Sequence, residues 1–142
     1  MASVPFKLVT PTEVVFDGEA ELVIVVTTEG EEGILSHHAP FLAALKPGIL
    51  RANVIPRAQD KTANSRLEIA TGEGFIQALP DRVTVLVDEA VRFEDVVVAE
   101  TRQALNDATE RQKAASDDPA EYAREQAIID FAAAKLRLTG HT

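Results

Sequence analysis

The sequence predicts an α+β fold: an N-terminal β-sandwich of about nine to ten strands over residues 1–92, then a C-terminal antiparallel two-helix hairpin over residues 93–142. Three observations carry the prediction. Up to Arg92, short apolar runs alternate with Gly and Pro turn signals, the signature of many short strands. After Arg92, glycine is absent until Gly140 and alanine becomes common, so the period changes to helical. A single polar break, Ser116-Asp117-Asp118-Pro119, then divides the second part into two helix-length segments.

The strands are expected in order at Phe6–Thr10, Glu13–Phe16, Glu21–Thr27, Gly33–Leu35, Phe41–Leu45, Gly48–Val54, Arg66–Ala70, Gly74–Ala78 and Arg82–Asp88. Turn signals separate them at Thr10-Pro11, Asp17-Gly18, Glu29-Gly30, Pro47-Gly48, Gly72 and Pro80-Asp81. In the last strand, Val83, Val85 and Val87 share one face, and Leu86 on the other face suggests partial cover there. Pro56 to Ser65 is polar and without period, and reads as a long solvated hairpin loop.

The first helix is expected over Asp95–Ala115, with a weakly apolar stripe of Val98, Arg102, Leu105, Ala108 and Gln112. Asp118 is placed as the N-cap of the second, with Pro119 at its first position and Glu121 completing a capping box. That helix runs to about Leu138 with a stripe of Tyr122, Gln126, Ile129, Ala133 and Leu136, widened by Ile128, Ala132 and Leu138. An alanine-rich seam buries little area per residue, so the hairpin is expected to be marginal by itself and able to leave the sandwich.

Composition narrows the function. The chain has 142 residues, 46% of them hydrophobic, no cysteine and a net charge of −9. The charge is spread as −5 over residues 1–92 and −4 over 93–142, which disfavours phosphate-led nucleic-acid binding and a polybasic lipid contact. A role at a membrane would then need another protein to hold the chain there. There is no phosphate-cradling loop or dinucleotide fingerprint, and Gly72-Glu73-Gly74 reads as a strand turn or bulge. Adjacent His37 and His38 on an extended segment point to opposite sides and do not converge on one metal ion. One is expected to face solvent or a partner and the other to cap a turn. Ser36 beside His37 lacks the elbow sequence of a hydrolase nucleophile. The absence of a catalytic constellation points to a protein that transmits force or reports state.

One stretch carries a resemblance. Glu29-Gly30-Glu31-Glu32-Gly33-Ile34-Leu35-Ser36-His37-His38-Ala39-Pro40, continuing to Lys46-Pro47-Gly48, closely resembles the hallmark segment of the epsilon subunit of F-type ATP synthase, of bacterial type. Val9-Thr10-Pro11 to Asp17-Gly18, Gly72-Glu73-Gly74-Phe75 and Asp81 to Ala90 look like the family's opening turn and closing strands, so the match covers about residues 5 to 92. Ser36-His37 stands where the family usually has Pro-Gly. From Phe93 onward the resemblance is one of architecture.

The resemblance implies a noncatalytic rotor subunit at the foot of the central stalk, binding the gamma subunit and the c-ring. It implies a peripheral position at the cytoplasmic face of the bacterial inner membrane, held there by partner subunits. By positional match Glu29, Gly30, Glu31 and Glu32 form the c-ring contact, with Glu31 foremost. His38, Ala39 and Pro40 are expected at the same end of the sandwich, near gamma and the ring. In some members the hairpin extends to the alpha and beta subunits of the catalytic head and blocks hydrolysis, and in some ATP holds it down. The nucleotide motif I/L-D-x-x-R-A falls on Val98-Ala99-Glu100-Thr101-Arg102-Gln103, where only the arginine matches. The expectation is therefore no cofactor, with Arg102 and Arg124 the residues left for a weak nucleotide contact, and a hairpin that brakes hydrolysis weakly or mainly braces the sandwich. For Arg102 the plain alternative is an ion pair within its own helix near Glu100. The rival reading of the whole chain is a free-standing ATP-sensing or partner-binding module on the same fold.

Overall fold

The computed structural model describes residues 2–56 and 65–141. Nine strands precede two α-helices: β1 Val4–Val9, β2 Val14–Thr27, β3 Gly30–Leu35, β4 Phe41–Leu45, β5 Gly48–Pro56, β6 Ser65–Thr71, β7 Gly74–Leu79, β8 Arg82–Val87, β9 Ala90–Arg92, α1 Val98–Ala114 and α2 Pro119–Leu138. The loop expected between Pro56 and Ser65 falls almost wholly outside the described residues.

Strand β2 makes the sandwich. Its first half pairs with β1, which continues through a parallel partner β8 to β7 and β4. Its second half pairs with β3 on one side and β5 on the other, and β5 leads to β6 and β9. One strand can serve both layers because its register shifts between Ala20 and Leu22. The extra residue flips the alternation: Gly18 and Ala20 point inward before it, and Val23, Val25 and Thr27 after it.

This corrects the expectation of two strands broken at Asp17-Gly18. Gly18 is no turn. It is buried, and a Cβ there would stand 2.8 Å from the Phe16 ring and 3.1 Å from the Ile55 carbonyl. The glycine permits close approach inside a continuous strand.

The core lies between the layers. Val4, Phe6 and Leu8 of β1 meet Val83, Val85 and Val87 of β8, Ile76 and Ala78 of β7, and Leu50, Ala52 and Val54 of β5. The alternation read from Arg82–Asp88 therefore holds for Val83, Val85 and Val87. Leu86 is different: no described part of the chain covers it, and it is 52% exposed.

The helices depart from expectation in detail. A 3₁₀ turn at Phe93–Asp95 delays α1 to Val98. Its buried residues are Thr101 and Ala108, so the seam sits one position before Arg102, which is exposed. Asp118 caps α2 as expected, its carboxylate accepting from the Ala120 and Glu121 amides at 3.1 and 3.2 Å. Glu121 does not complete a capping box; its carboxylate is taken by Arg124. In α2 the buried residues are Glu125, Phe131, Ala132, Ala134 and Leu136, while Tyr122 and Ile128 of the expected stripe are exposed. Two seats displace a single stripe: α2 packs along α1 and also on β5 and β6. Phe131, Ala134 and Leu138 lie on Ile49, Ala70 and Val91, three residues opposite one another across β5, β6 and β9.

Candidate functional site

The acidic turn is the tip of the β2–β3 hairpin. Thr27 is buried beneath it, donating its hydroxyl to the Gly30 carbonyl at 2.7 Å and accepting the Glu29 amide at 3.0 Å. Gly30 takes a φ of 120°, a conformation a side chain would strain. Glu29 and Glu31 are therefore presented on a fixed turn, both exposed, with Glu32 half-buried. Glu31 is not a free carboxylate. It accepts from Arg51 of β5 at 2.8 Å, across the intervening β2. Thr27 and Arg51 position the turn, and sequence reasoning missed both: their roles depend on strand pairing.

His38, Ala39 and Pro40 do not share that end of the sandwich, as had been expected. Strand β3 starts at the acidic tip and ends at Leu35, and β4 returns from Phe41 to Leu45, which pairs with Thr27 beside the tip. The His38 turn is thus at the opposite end, separated by six extended residues, or about 20 Å at ~3.3 Å each. There His38 packs edge-on against Phe41 with ring centroids 5.9 Å apart, and its Nδ1 lies 2.7 Å from the Ala39 carbonyl oxygen. His37 is exposed, with a φ of 64° and its amide donated to the Pro80 carbonyl.

Arg102 and Arg124 are not brought together into a phosphate site. Arg102 is exposed and makes no described ion pair, so the pairing near Glu100 is not formed either. Arg124 is bound to Glu121, which holds the Glu121 carboxyl below the usual carboxylate range and lifts the arginine's own value. A cavity of about 390 Å³ lies between α2 and the sandwich. Ala104, Ala127, Ile128, Phe131 and Ala132 line it, with Glu73, Asp88 and Glu89 opposing Arg124 and Lys135. A polyanion entering there would meet three carboxylates as well as the two cations. Among the described residues no three His, Asp or Glu side chains are grouped to hold a metal ion, and no helix is long and apolar enough to cross a membrane.

One surface feature was not predicted. Ala44, Phe75, Leu86, Val9 and Val14 are register partners across β4, β7, β8, β1 and β2, so they form one transverse row on the outer face. Leu42 lies two residues from Ala44 on the same face. Leu42 is 72% exposed, Phe75 58% and Val14 54%. The equivalent row on the other layer, Ile49, Ala70 and Val91, is covered by α2. Among the described residues one outer face has its lid within the chain and the other has none, which makes the exposed apolar row a candidate interaction surface.

Residues 3–93 match the family described as ATP synthase, Delta/Epsilon chain, beta-sandwich domain. The chain is 34% identical over 137 residues to the ATP synthase epsilon chain of Chromobacterium violaceum, covering 96% of this chain and 93% of that one. It is 36% identical over 140 residues to that of Ruminiclostridium cellulolyticum, covering 98% and 97%. A chain in the Euglena gracilis mitochondrial ATP synthase structure, of OSCP, F1 and c-ring, superposes with a TM-score of 0.76 at 21% identity, covering 99% of this chain and 83% of that one. This last likeness concerns the fold.

Proposed function

The chain belongs to the family of ATP synthase epsilon chains, and from that premise we propose that it is clamped to the gamma subunit through its uncovered apolar row and meets the c-ring with its acidic tip. It is a noncatalytic subunit of the rotary complex, part of the central stalk. It associates with the membrane peripherally, through partners, and we place it at the cytoplasmic face of the bacterial inner membrane.

The row of Val14, Val9, Leu86, Phe75 and Ala44, with Leu42, carries the reading. A joint that bears torque requires a larger and more apolar interface than a transient contact. Exposed side chains of this size, Phe75 above all, are the anchors such an interface uses. The tip suits a different task. Charged rim contacts set orientation and partner choice more than affinity. Because the His38 turn lies about 20 Å from the tip, and His38 packs on the first residue of β4 beside Leu42, we assign it to the gamma side.

Cysteine crosslinking in the assembled complex tests this, since the chain has no native cysteine. Glu31→Cys crosslinks to the c-ring loops and His38→Cys to gamma. Capture of the ring by His38→Cys, or of gamma alone by Glu31→Cys, refutes the assignment.

A further inference from the structure

We propose that the helical hairpin is held closed by a side-chain clasp internal to the chain, Arg111 on α1 to Glu125 on α2, and that nucleotide plays no part in holding it. Helix α1 packs mainly along α2, whereas α2 also has its own seat on β5 and β6. The buried side chains of α1 are only Thr101 and Ala108, so apolar area secures it weakly. Towards the turn the contacts become polar. Arg111 donates its Nε to both carboxylate oxygens of Glu125, each at 3.1 Å. Beside it, Gln112 donates to the Gln126 side chain at 2.8 Å.

Glu125 sets this pair apart. In every other described ion pair the acid is well exposed, but Glu125 is only 5% exposed. A buried carboxylate that loses its cation is strongly unfavourable, whereas the pair itself adds little over an apolar contact. Such a pair behaves as a catch. α1 stays down while Arg111 is in place, and Glu125 regains water only when the helices part. Little on the hairpin is arranged to hold a nucleotide. Arg124 is held by Glu121, Arg102 is exposed on α1, and the neighbouring cavity presents Glu73, Asp88 and Glu89.

Amide hydrogen exchange on the full chain tests both halves of the proposal. In Arg111→Gln, amides of residues 104–114 exchange at least about tenfold faster, while those of β6 keep the native rate. Exchanging the charges, Arg111→Glu with Glu125→Arg, restores protection. Millimolar magnesium ATP leaves the exchange of the native chain unchanged and gives no heat of binding in calorimetry. Native protection in Arg111→Gln overturns the clasp, and ATP-dependent slowing of α1 overturns its independence from nucleotide. If Arg111→Gln loosens the sandwich as well, the charge exchange decides: recovery supports the clasp, and failure to recover rejects it. The isolated chain suffices, so the result is separate from whether the sandwich binds gamma.

Discussion

His37 occupies a left-handed backbone conformation, φ 64°, that costs a non-glycine residue roughly 1–2 kcal/mol. It is also where the family resemblance places a glycine. Replacing His37 by Gly relieves that strain but adds unfolded-state entropy of about 0.5–1 kcal/mol. The expected net effect is a stabilisation of about 0.5–1 kcal/mol in urea denaturation; a loss of stability would show that the imidazole itself is needed. Gly74 is the opposite case. A Cβ there would lie 1.9 Å from the Leu86 carbonyl oxygen, in backbone that cannot move aside without unpairing β7 from β8. Gly74→Ala should destabilise by at least about 2 kcal/mol in the same measurement. The general chemistry of turns made Gly72-Glu73-Gly74 readable as a turn. The close crossing at Gly74 depends on a strand twelve residues away and was not readable.

At the scale of elements, local signals survived and non-local ones did not. The Asp118 cap and Pro119 start were legible because both act within one turn, and Asp118→Ala should cost about 1 kcal/mol of helix stability by thermal melting. The capping box failed because Arg124, three residues on, competes for Glu121. Arg124 depresses the Glu121 carboxyl, so the pair supports the first turn of α2 above pH 4.5 and is lost as pH falls below it. Glu121→Gln should accordingly blunt the acid-induced loss of helical signal below pH 4.5. The seat of α2 is a different matter. Phe131 is its largest buried side chain, and Phe131→Ala should cost about 3–5 kcal/mol, read as loss of protection along α2 with the sandwich intact. Helical periodicity gave one stripe for a helix that buries two sides, which is why Tyr122 and Ile128 were misplaced. Strand β2 shows the same limit. Its bulge reverses the alternation halfway along, so period-2 reasoning divided one strand into two.

For the whole molecule, the class of fold and the family were legible from the Gly and Pro punctuation and the hallmark segment. The proposed gamma-binding row was not, because exposure of Leu42, Phe75 and Leu86 depends on which sheet face the hairpin covers. Nothing local in the sequence states that choice. The acidic tip was found, but its geometry was not: Arg51 and Thr27 reach it only through strand pairing, and the His38 turn departs along β3 to the far end. The division of labour has a consequence for regulation. Since the hairpin closes on its own side of the sandwich, deleting residues 93–142 should leave gamma binding intact and raise ATP hydrolysis by the assembled enzyme only slightly. A several-fold rise would mean the hairpin is a strong brake.

The most direct test of the central claim is co-purification of the chain with the gamma subunit, comparing the native sequence with Leu42→Glu/Phe75→Glu. Both residues are exposed, so the variant should keep its native circular dichroism and melting temperature. The native chain should form a stable one-to-one complex, and the variant should bind at least about a hundredfold more weakly. A native chain that fails to bind gamma, or a folded variant that binds as tightly as the native chain, would contradict that claim.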